Sequence, residues 1–204
     1  MAGLPRRRVA LVFACVLVLV LLASQVLMHG PFTRWDLEIT TWLVAHRQPW
    51  LTEFTRTVSD LHQTAKVLAM TALLVAWRAW RRDWVSVKAL GVVPAGMLLN
   101  VGLKNVFQRA RPSLDNPLVH IATYSFPSGH AVASTVFYGM ACALVFTQTR
   151  SRALRWLAAI GATAMVALVC FTRVYLGAHY LSDVLAGIAF GLVCVIVFLH
   201  FAQR

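Results

Sequence analysis

Long apolar stretches, separated by short polar connections, dominate the pattern along this chain. A helix that crosses a membrane needs about 20 predominantly apolar residues at about 1.5 Å of rise per residue. The second apolar stretch, Ala65–Trp80, is short and contains Lys66, so it crosses the membrane only if Lys66 and Trp80 reach the interfaces by snorkelling. The pattern predicts an all-α membrane bundle of six transmembrane helices. The six stretches are Val9–Met28, Ala65–Trp80, Val85–Leu103, Ala131–Thr147, Trp156–Phe171 and Ser182–Phe201.

The connection between the first two stretches differs from the others in length and pattern. Within His29–Thr64, the residues Trp35, Trp42 and Trp50 are spaced along a partly amphipathic stretch. Tryptophan is enriched at headgroup level, and amphipathic helices lie in the plane of the interface. We therefore expect an interfacial helix between the first and second spans, with anchoring as its role.

A cleaved signal peptide is the alternative interpretation of the first apolar stretch, since the basic residues PRRR precede it. The stretch is longer than the apolar region of a usual signal peptide, and no clean A-x-A cleavage site follows it. We therefore interpret Val9–Met28 as a retained anchor.

Charge is sparse in this chain and unevenly placed. Of its 204 residues, 59% are hydrophobic and 13% are charged, roughly half the charged fraction of an average soluble domain. Basic residues crowd the short segments on one side of the predicted membrane, which is the positive-inside pattern. Both termini are therefore expected in the cytoplasm, and the net charge of +12 needs no nucleic-acid partner. These inner cations are Arg6, Arg7, Arg8, Arg78, Arg81, Arg82, Lys88, Arg150, Arg152, Arg155 and Arg204.

Three polar clusters lie at the predicted outer ends of the spans. The stretch KNVFQRARP follows the third span, SFPSGHA precedes the fourth, and TRVYLGAHYLSD joins the fifth to the sixth. The cations among them, Lys104, Arg109, Arg111 and Arg173, run against the positive-inside trend, which favours a functional role.

In the third cluster, His179 and Asp183 are four residues apart, which places them on one helix face about one turn from each other. A carboxylate beside an imidazole fixes its tautomer and stabilises the imidazolium formed during chemistry. The alternative is an Asp that only caps the helix, with a His nearby. The pair alone leaves both readings open.

The other two clusters supply an anion site. Ser128 is a good N-cap for the fourth span, and Gly129 permits close backbone approach at a helix start that would present free N–H groups beside His130. The same PSG sequence is also an ordinary turn and cap. Lys104 and Arg111, seven residues apart, could face one way and hold phosphate oxygens, whereas Arg109 fits a snorkelling cation better.

Together the clusters are equipped for phosphoryl transfer without a metal ion. Such a site must neutralise oxyanion charge and position an in-line nucleophile. There is no H-x-x-x-H or acidic cluster for a metal, and the cysteines show no C-x-x-C spacing. The residues alone do not decide which histidine is the nucleophile.

These clusters resemble the three-part signature of the type 2 phosphatidic acid phosphatase (PAP2) superfamily, in order, in spacing and in the six-span layout. The resemblance covers at least Lys104 to Asp183. Thr172 departs from it, because the family usually has Ser before the Arg, but a hydroxyl is retained. The matching segments are Lys104-x6-Arg111-Pro112, Pro127-Ser128-Gly129-His130 and Arg173-x5-His179-x3-Asp183.

The resemblance implies a role for each residue. His179 would attack phosphorus and become a phosphohistidine, while Asp183 would orient and polarise it. His130 would act as general acid toward the leaving group. The residues implied to bind the substrate phosphate are Lys104, Arg111, Ser128, Gly129 and Arg173.

The resemblance also implies a metal-independent enzyme that hydrolyses a membrane lipid phosphate or diphosphate of the undecaprenyl diphosphate, phosphatidylglycerophosphate or phosphatidic acid type. Its partners would be the lipid and the bilayer, with no cofactor and no nucleic acid; the oligomeric state stays open. One domain would span residues 1–204, with the first span and interfacial segment in 1–64 and the catalytic core in 65–204. We expect an integral protein of the bacterial inner (plasma) membrane, with its active site facing the periplasm or exterior.

Two alternatives remain. A phosphotransferase would use the same residues but pass the phosphoryl group from a lipid diphosphate to another lipid or glycolipid acceptor. A non-catalytic lipid-binding or transport protein would have no use for an intact His130, His179 and Asp183. Finally, Gly187 and Gly191 form a G-x-x-x-G pattern that predicts close helix packing in the last span.

Overall fold

The computed structural model describes residues 5–114, 118 and 122–202, and within those residues the regular structure is entirely helical, as predicted. Nine helices follow one another along this part of the chain. They are α1 (Arg6–Leu27), α2 (Pro31–Ala45), α3 (Pro49–Leu61), α4 (Thr64–Trp80), α5 (Trp84–Leu90), α6 (Val92–Phe107), α7 (Gly129–Gln148), α8 (Arg152–Tyr175) and α9 (Leu181–Ala202).

Five helical stretches of the described chain are long and apolar enough to cross a membrane. They are α1, α7, α8, most of α9, and α5 with α6 taken together over Trp84–Phe107. Helix α4 has 17 residues, fewer than the roughly 20 that a span needs, so the sixth predicted span is not confirmed by length and composition.

The segment predicted as one interfacial helix contains two helices, α2 and α3. Each begins at a proline, Pro31 and Pro49, which suits the first helical position because its missing N–H has no partner there anyway. The two helices pack on α8, and α2 also packs on α9. Their inner faces bury the polar residues Asp36, Thr40, Thr55 and Ser59, so the segment does more than anchor the chain.

Helix α7 runs through the centre of the molecule and packs against α6, α8 and α9. The contact with α9 is close, as the glycine pattern predicted: a Cβ atom on Gly187 would lie 2.7 Å from Cβ of Ala131, and one on Gly191 would lie 2.7 Å from Cβ of Thr135. This contact brings the first turn of α7 beside the first turn of α9, the two places where the polar clusters lie.

Candidate active site

Four parts of the chain meet at one end of the bundle: the end of α6, the residues around 108–114 and 122–128, the start of α7, and the α8–α9 connection. Together with Thr64 and Leu68 of α4, they line an open cavity of about 460 Å³. Among its lining residues are Lys104, Arg111, Gly129, His130 and His179. The other predicted site residues, Ser128, Arg173 and Asp183, are buried and do not line the cavity.

His179 and Asp183 form a buried pair in which Nδ1 of the imidazole lies 3.3 Å from Oδ2 of the carboxylate. The same Oδ2 accepts hydrogen bonds from the backbone N–H of Tyr180, at 3.0 Å, and from the hydroxyl of Ser125. Tyr180 directly precedes α9, so Asp183 satisfies a free N–H at the helix start and also holds the imidazole. Asp183 is therefore both the cap of α9 and the partner of the imidazole.

The surroundings of His179 decide its tautomer. Nη1 of Arg111 lies 3.1 Å from Nε2, and because a guanidinium only donates, Nε2 must accept. The ring proton then sits on Nδ1, facing Asp183. Burial, reinforced by the charges of Arg111 and Arg173, lowers the pKa of His179 to about 3, although Asp183 opposes the shift. The imidazole is neutral, and its lone pair lies on Nε2, where it accepts from Arg111.

The three predicted phosphate-binding cations are held by neutral acceptors. Lys104 donates from Nζ to the carbonyl oxygens of Tyr124 and Ser125, and Arg111 donates from Nε to the carbonyl oxygen of Thr123 at 2.7 Å. Arg173 donates to the hydroxyl of Ser59. Within the described residues none of the three forms an ion pair with a carboxylate, so their charge remains available to an anion.

The start of α7 also contains polar side-chain atoms that have no hydrogen-bond partner among the described residues. Ser128 takes the N-cap position, as expected, but its side chain makes no capping bond, and its Oγ atom is buried without a partner among the described residues. Nε2 of His130 is likewise buried and unpartnered there. A helix N-terminus with free N–H groups attracts anions, so both side chains stand at a suitable place for a phosphate.

The interpretation of Arg109 as a snorkelling cation is wrong. Its side chain is 10% exposed and bridges two carboxylates, those of Asp183 and Asp36. The sequence did contain a signal for a buried role: Arg109 is a cation that runs against the positive-inside trend. The sequence analysis missed Asp36 and also Ser59, which accepts from Arg173. Neither residue belongs to a recognisable local pattern, and their contacts join positions more than 70 residues apart.

Several known proteins are similar to this chain in sequence. The sequence profile of the PAP2 superfamily matches residues 85–204. Phosphatidylglycerophosphatase B of Bacillus subtilis is 33% identical over 171 residues, which cover 83% of this chain and 84% of that protein. Lipid A 1-phosphatase of Rhizobium etli is 38% identical over 109 residues, which cover 49% of this chain and 42% of that protein.

A solved structure agrees with these matches. The crystal structure of a transmembrane PAP2 type phosphatidylglycerolphosphate phosphatase from Bacillus subtilis matches with a TM-score of 0.85 and 30% sequence identity, over 94% of this chain and 96% of that chain. The profile match contains every residue from Lys104 to Asp183 that converges on the cavity. This chain therefore belongs to the PAP2 superfamily and is an integral membrane phosphatase.

Proposed function

We propose that this protein removes a phosphoryl group from a membrane lipid phosphate or diphosphate, without a metal ion, through a phosphohistidine formed on His179. One observation carries the proposal: Lys104 and Arg111 line one cavity with His179, and among the described residues these two cations and the buried Arg173 donate to neutral acceptors and to no carboxylate. A phosphoryl group whose equatorial oxygens carry the developing charge is the anion that such a site stabilises best.

The chemistry divides into two steps. In the first, the Nε2 lone pair of His179 attacks phosphorus, the bond to the leaving oxygen breaks, and a protonated His130 gives that oxygen its proton. In the second, His130 takes a proton from a water molecule that attacks the phosphohistidine, the bond from phosphorus to Nε2 breaks and returns its electron pair to His179, and inorganic phosphate leaves. The hydrogen bond from Nδ1 to Asp183 strengthens while the ring carries positive charge.

The phosphate contacts follow from the same arrangement. Arg111 and Arg173 offer forked N–H donors, and Lys104 offers a mobile point charge. The hydroxyl of Ser128 and the backbone N–H of Gly129 add donors at the start of α7. Within the described residues no cluster of three or more His, Cys, Asp or Glu side chains could hold a metal ion.

The cavity suits a substrate with an apolar tail. It follows α6 from Pro94 to Lys104, ten residues or about 15 Å of helix. Its walls away from the cations are apolar, with Leu68, Met97 and Leu98 among them. Phosphatidylglycerophosphate is the first substrate to test, because a relative that matches 83% of this chain is named a phosphatidylglycerophosphatase. Undecaprenyl diphosphate and phosphatidic acid are tested next.

The topology completes the proposal. Helix α4 serves as the sixth span, with Thr64 at the cavity and the basic residues Arg81 and Arg82 at its inner end. Helices α2 and α3 lie at the outer interface, both termini are cytoplasmic, and the site opens to the outside as part of a single domain. A cysteine at exposed His46 should then react with an impermeant reagent in intact cells, and one at Arg152 should not.

The decisive experiment measures phosphate release by the purified protein in detergent from a panel of lipid phosphates and diphosphates, with no acceptor lipid present. Release by the wild type, and its loss in His179→Ala, is expected, while His46→Ala serves as the matched control. Release that appears only after an acceptor lipid is added would instead support the phosphotransferase. Unchanged release in His179→Ala would refute the phosphohistidine.

A further inference from the structure

We propose that Asp36 and Arg109 are positioning residues that orient the Asp183 carboxylate and preserve its negative charge toward His179. The inference rests on the proposed function, because it assigns Asp36 and Arg109 a part in the reaction of His179. It adds a residue from α2, outside the region that the family profile matches.

The two oxygens of Asp183 have separate partners. Oδ2 faces His179, Ser125 and the N–H of Tyr180, as described above. Oδ1 accepts from Nη1 of Arg109 at 2.5 Å. With both oxygens held from different sides, the carboxylate cannot rotate away from the imidazole without breaking a buried charged contact.

Asp36 holds the other arm of the guanidinium. Nη2 of Arg109 lies 2.8 Å from Oδ2 of Asp36, and the Asp36 side chain is 4% exposed. Asp36 also receives two hydrogen bonds from Ser182, the neighbour of Asp183: one from its backbone N–H, at 2.9 Å, and one from its hydroxyl. Asp36 therefore fastens α2 to the first turn of α9 and to Arg109 together.

The charges explain why one arginine needs two carboxylates. If Arg109 paired with Asp183 alone, its positive charge would cancel the carboxylate that must stabilise a phosphorylated, positively charged imidazole. Shared between Asp36 and Asp183, the cation leaves the buried group with one net negative charge. Because Asp36, Asp183 and His179 are all buried, that charge acts on His179 with less screening than it would have in water.

The position of the pair indicates an indirect role. Neither Asp36 nor Arg109 is among the residues that line the catalytic cavity. Arg109 instead stacks on the ring of Tyr180, with its guanidinium carbon 4.2 Å from the ring centroid. Substrate phosphate is bound by other cations, so loss of this pair should affect the chemical step more than binding.

The first test compares Asp36→Asn and Arg109→Lys with the matched controls Glu38→Gln and Arg34→Lys, whose side chains lie on the exposed face of α2. We expect kcat for lipid phosphate hydrolysis to fall about 10- to 100-fold in the first two, as for other groups that orient a reactive side chain, with KM within about twofold. The controls should match the wild type. A raised KM with unchanged kcat would overturn the proposal.

A double-variant cycle tests whether Asp36 acts through Asp183. The rate of phosphohistidine formation in a single turnover is measured for Asp36→Asn, Asp183→Asn and the double variant. The Asp36→Asn effect should vanish in the Asp183→Asn background, and an undiminished effect would contradict the inference. If no phosphohistidine forms in the wild type, the proposed function fails instead.

Folding is checked separately by the melting temperature of each variant in detergent. Asp36→Glu keeps the charge, so it should recover a large part of the activity lost in Asp36→Asn. If both variants are equally inactive while folded like the wild type, charge at this position is not what matters, and the proposal is wrong. If Asp36→Asn does not fold, the double-variant cycle is measured with Arg109→Lys and Asp183→Asn instead. The Arg109→Lys effect should then vanish in the Asp183→Asn background, and an undiminished effect would contradict the inference.

Discussion

The Nη1 atom of Arg111 lies 3.1 Å from Nε2 of His179, although the two residues are 68 positions apart in the sequence. A permanent cation this close keeps a second proton off the imidazole, and in the proposed function it would also hold a phosphate oxygen. The contact connects the first and third polar clusters of the chain around one reacting atom.

Replacement of Arg173 by lysine should impair the enzyme although the charge is retained. Arg173 uses Nη1 for the hydroxyl of Ser59, while its Nε is buried without a partner among the described residues and could serve a phosphate. Lysine cannot reproduce this fork, so kcat/KM should fall by about 10²-fold, as when one transition-state donor is lost. Arg155→Lys, at the other end of α8, is the control; wild-type turnover in Arg173→Lys would argue against a phosphate contact.

Acid should destabilise the protein through His179. Its folded pKa of about 3 lies below the ordinary value of 6.5, so below pH 6.5 the unfolded chain binds a proton that the folded chain does not. Stability is therefore lost as pH falls from about 6.5 toward 3, by about 2 kcal/mol between pH 6.5 and 5. The melting temperature of His179→Gln in detergent should fall less over this interval than that of the wild type, and parallel curves would contradict the shift.

Vanadate should inhibit phosphate release, whereas chelators should not. Vanadate adopts the trigonal arrangement of a transferring phosphoryl group, so Lys104, Arg111 and the start of α7 should bind it, and inhibition should compete with lipid substrate. EDTA should leave turnover unchanged because no metal takes part in the proposed steps. Activity that is lost in EDTA and restored by a divalent cation would refute metal independence.

The Gly187 contact should be sensitive to a single methyl group. A Cβ atom there would lie 2.7 Å from Cβ of Ala131 and 2.9 Å from the carbonyl oxygen of Ser128, so Gly187→Ala must push α7 from α9. We expect a loss of about 1–3 kcal/mol in stability and a lower kcat. Gly161→Ala is the matched control, since nothing lies within 4 Å of that position; equal melting temperatures for the two variants would show that the contact is not tight.

Asn100 should show opposite effects on stability and activity. Its side chain lines the cavity one turn before Lys104, and its Oδ1 is buried without a partner among the described residues. Asn100→Leu removes an unsatisfied polar group, so the melting temperature should rise, while hydrolysis should weaken if the amide contacts the polar part of the substrate. Unchanged kcat/KM for every lipid tested would exclude that contact.

The parts of the site that could be predicted from the sequence are those with fixed local spacing. The spacing of four residues brings His179 next to Asp183 at the start of α9, and Ser128 to His130 mark the start of α7, so local spacing predicted both features. The break between α2 and α3 was also readable, because Pro49 disfavours helix in the residue before it. The bridge from Asp36 to Arg109 was not, because only the packing of α2 on α9 brings them together.

Asp183 serves as both the partner of the imidazole and the cap of the final helix. Fraying of that first turn would therefore release the carboxylate that orients His179 at the same moment, and hydrolysis would stop before the bundle came apart. Agents that loosen the start of α9, such as a harsh detergent, should inactivate the enzyme while its helix content stays intact.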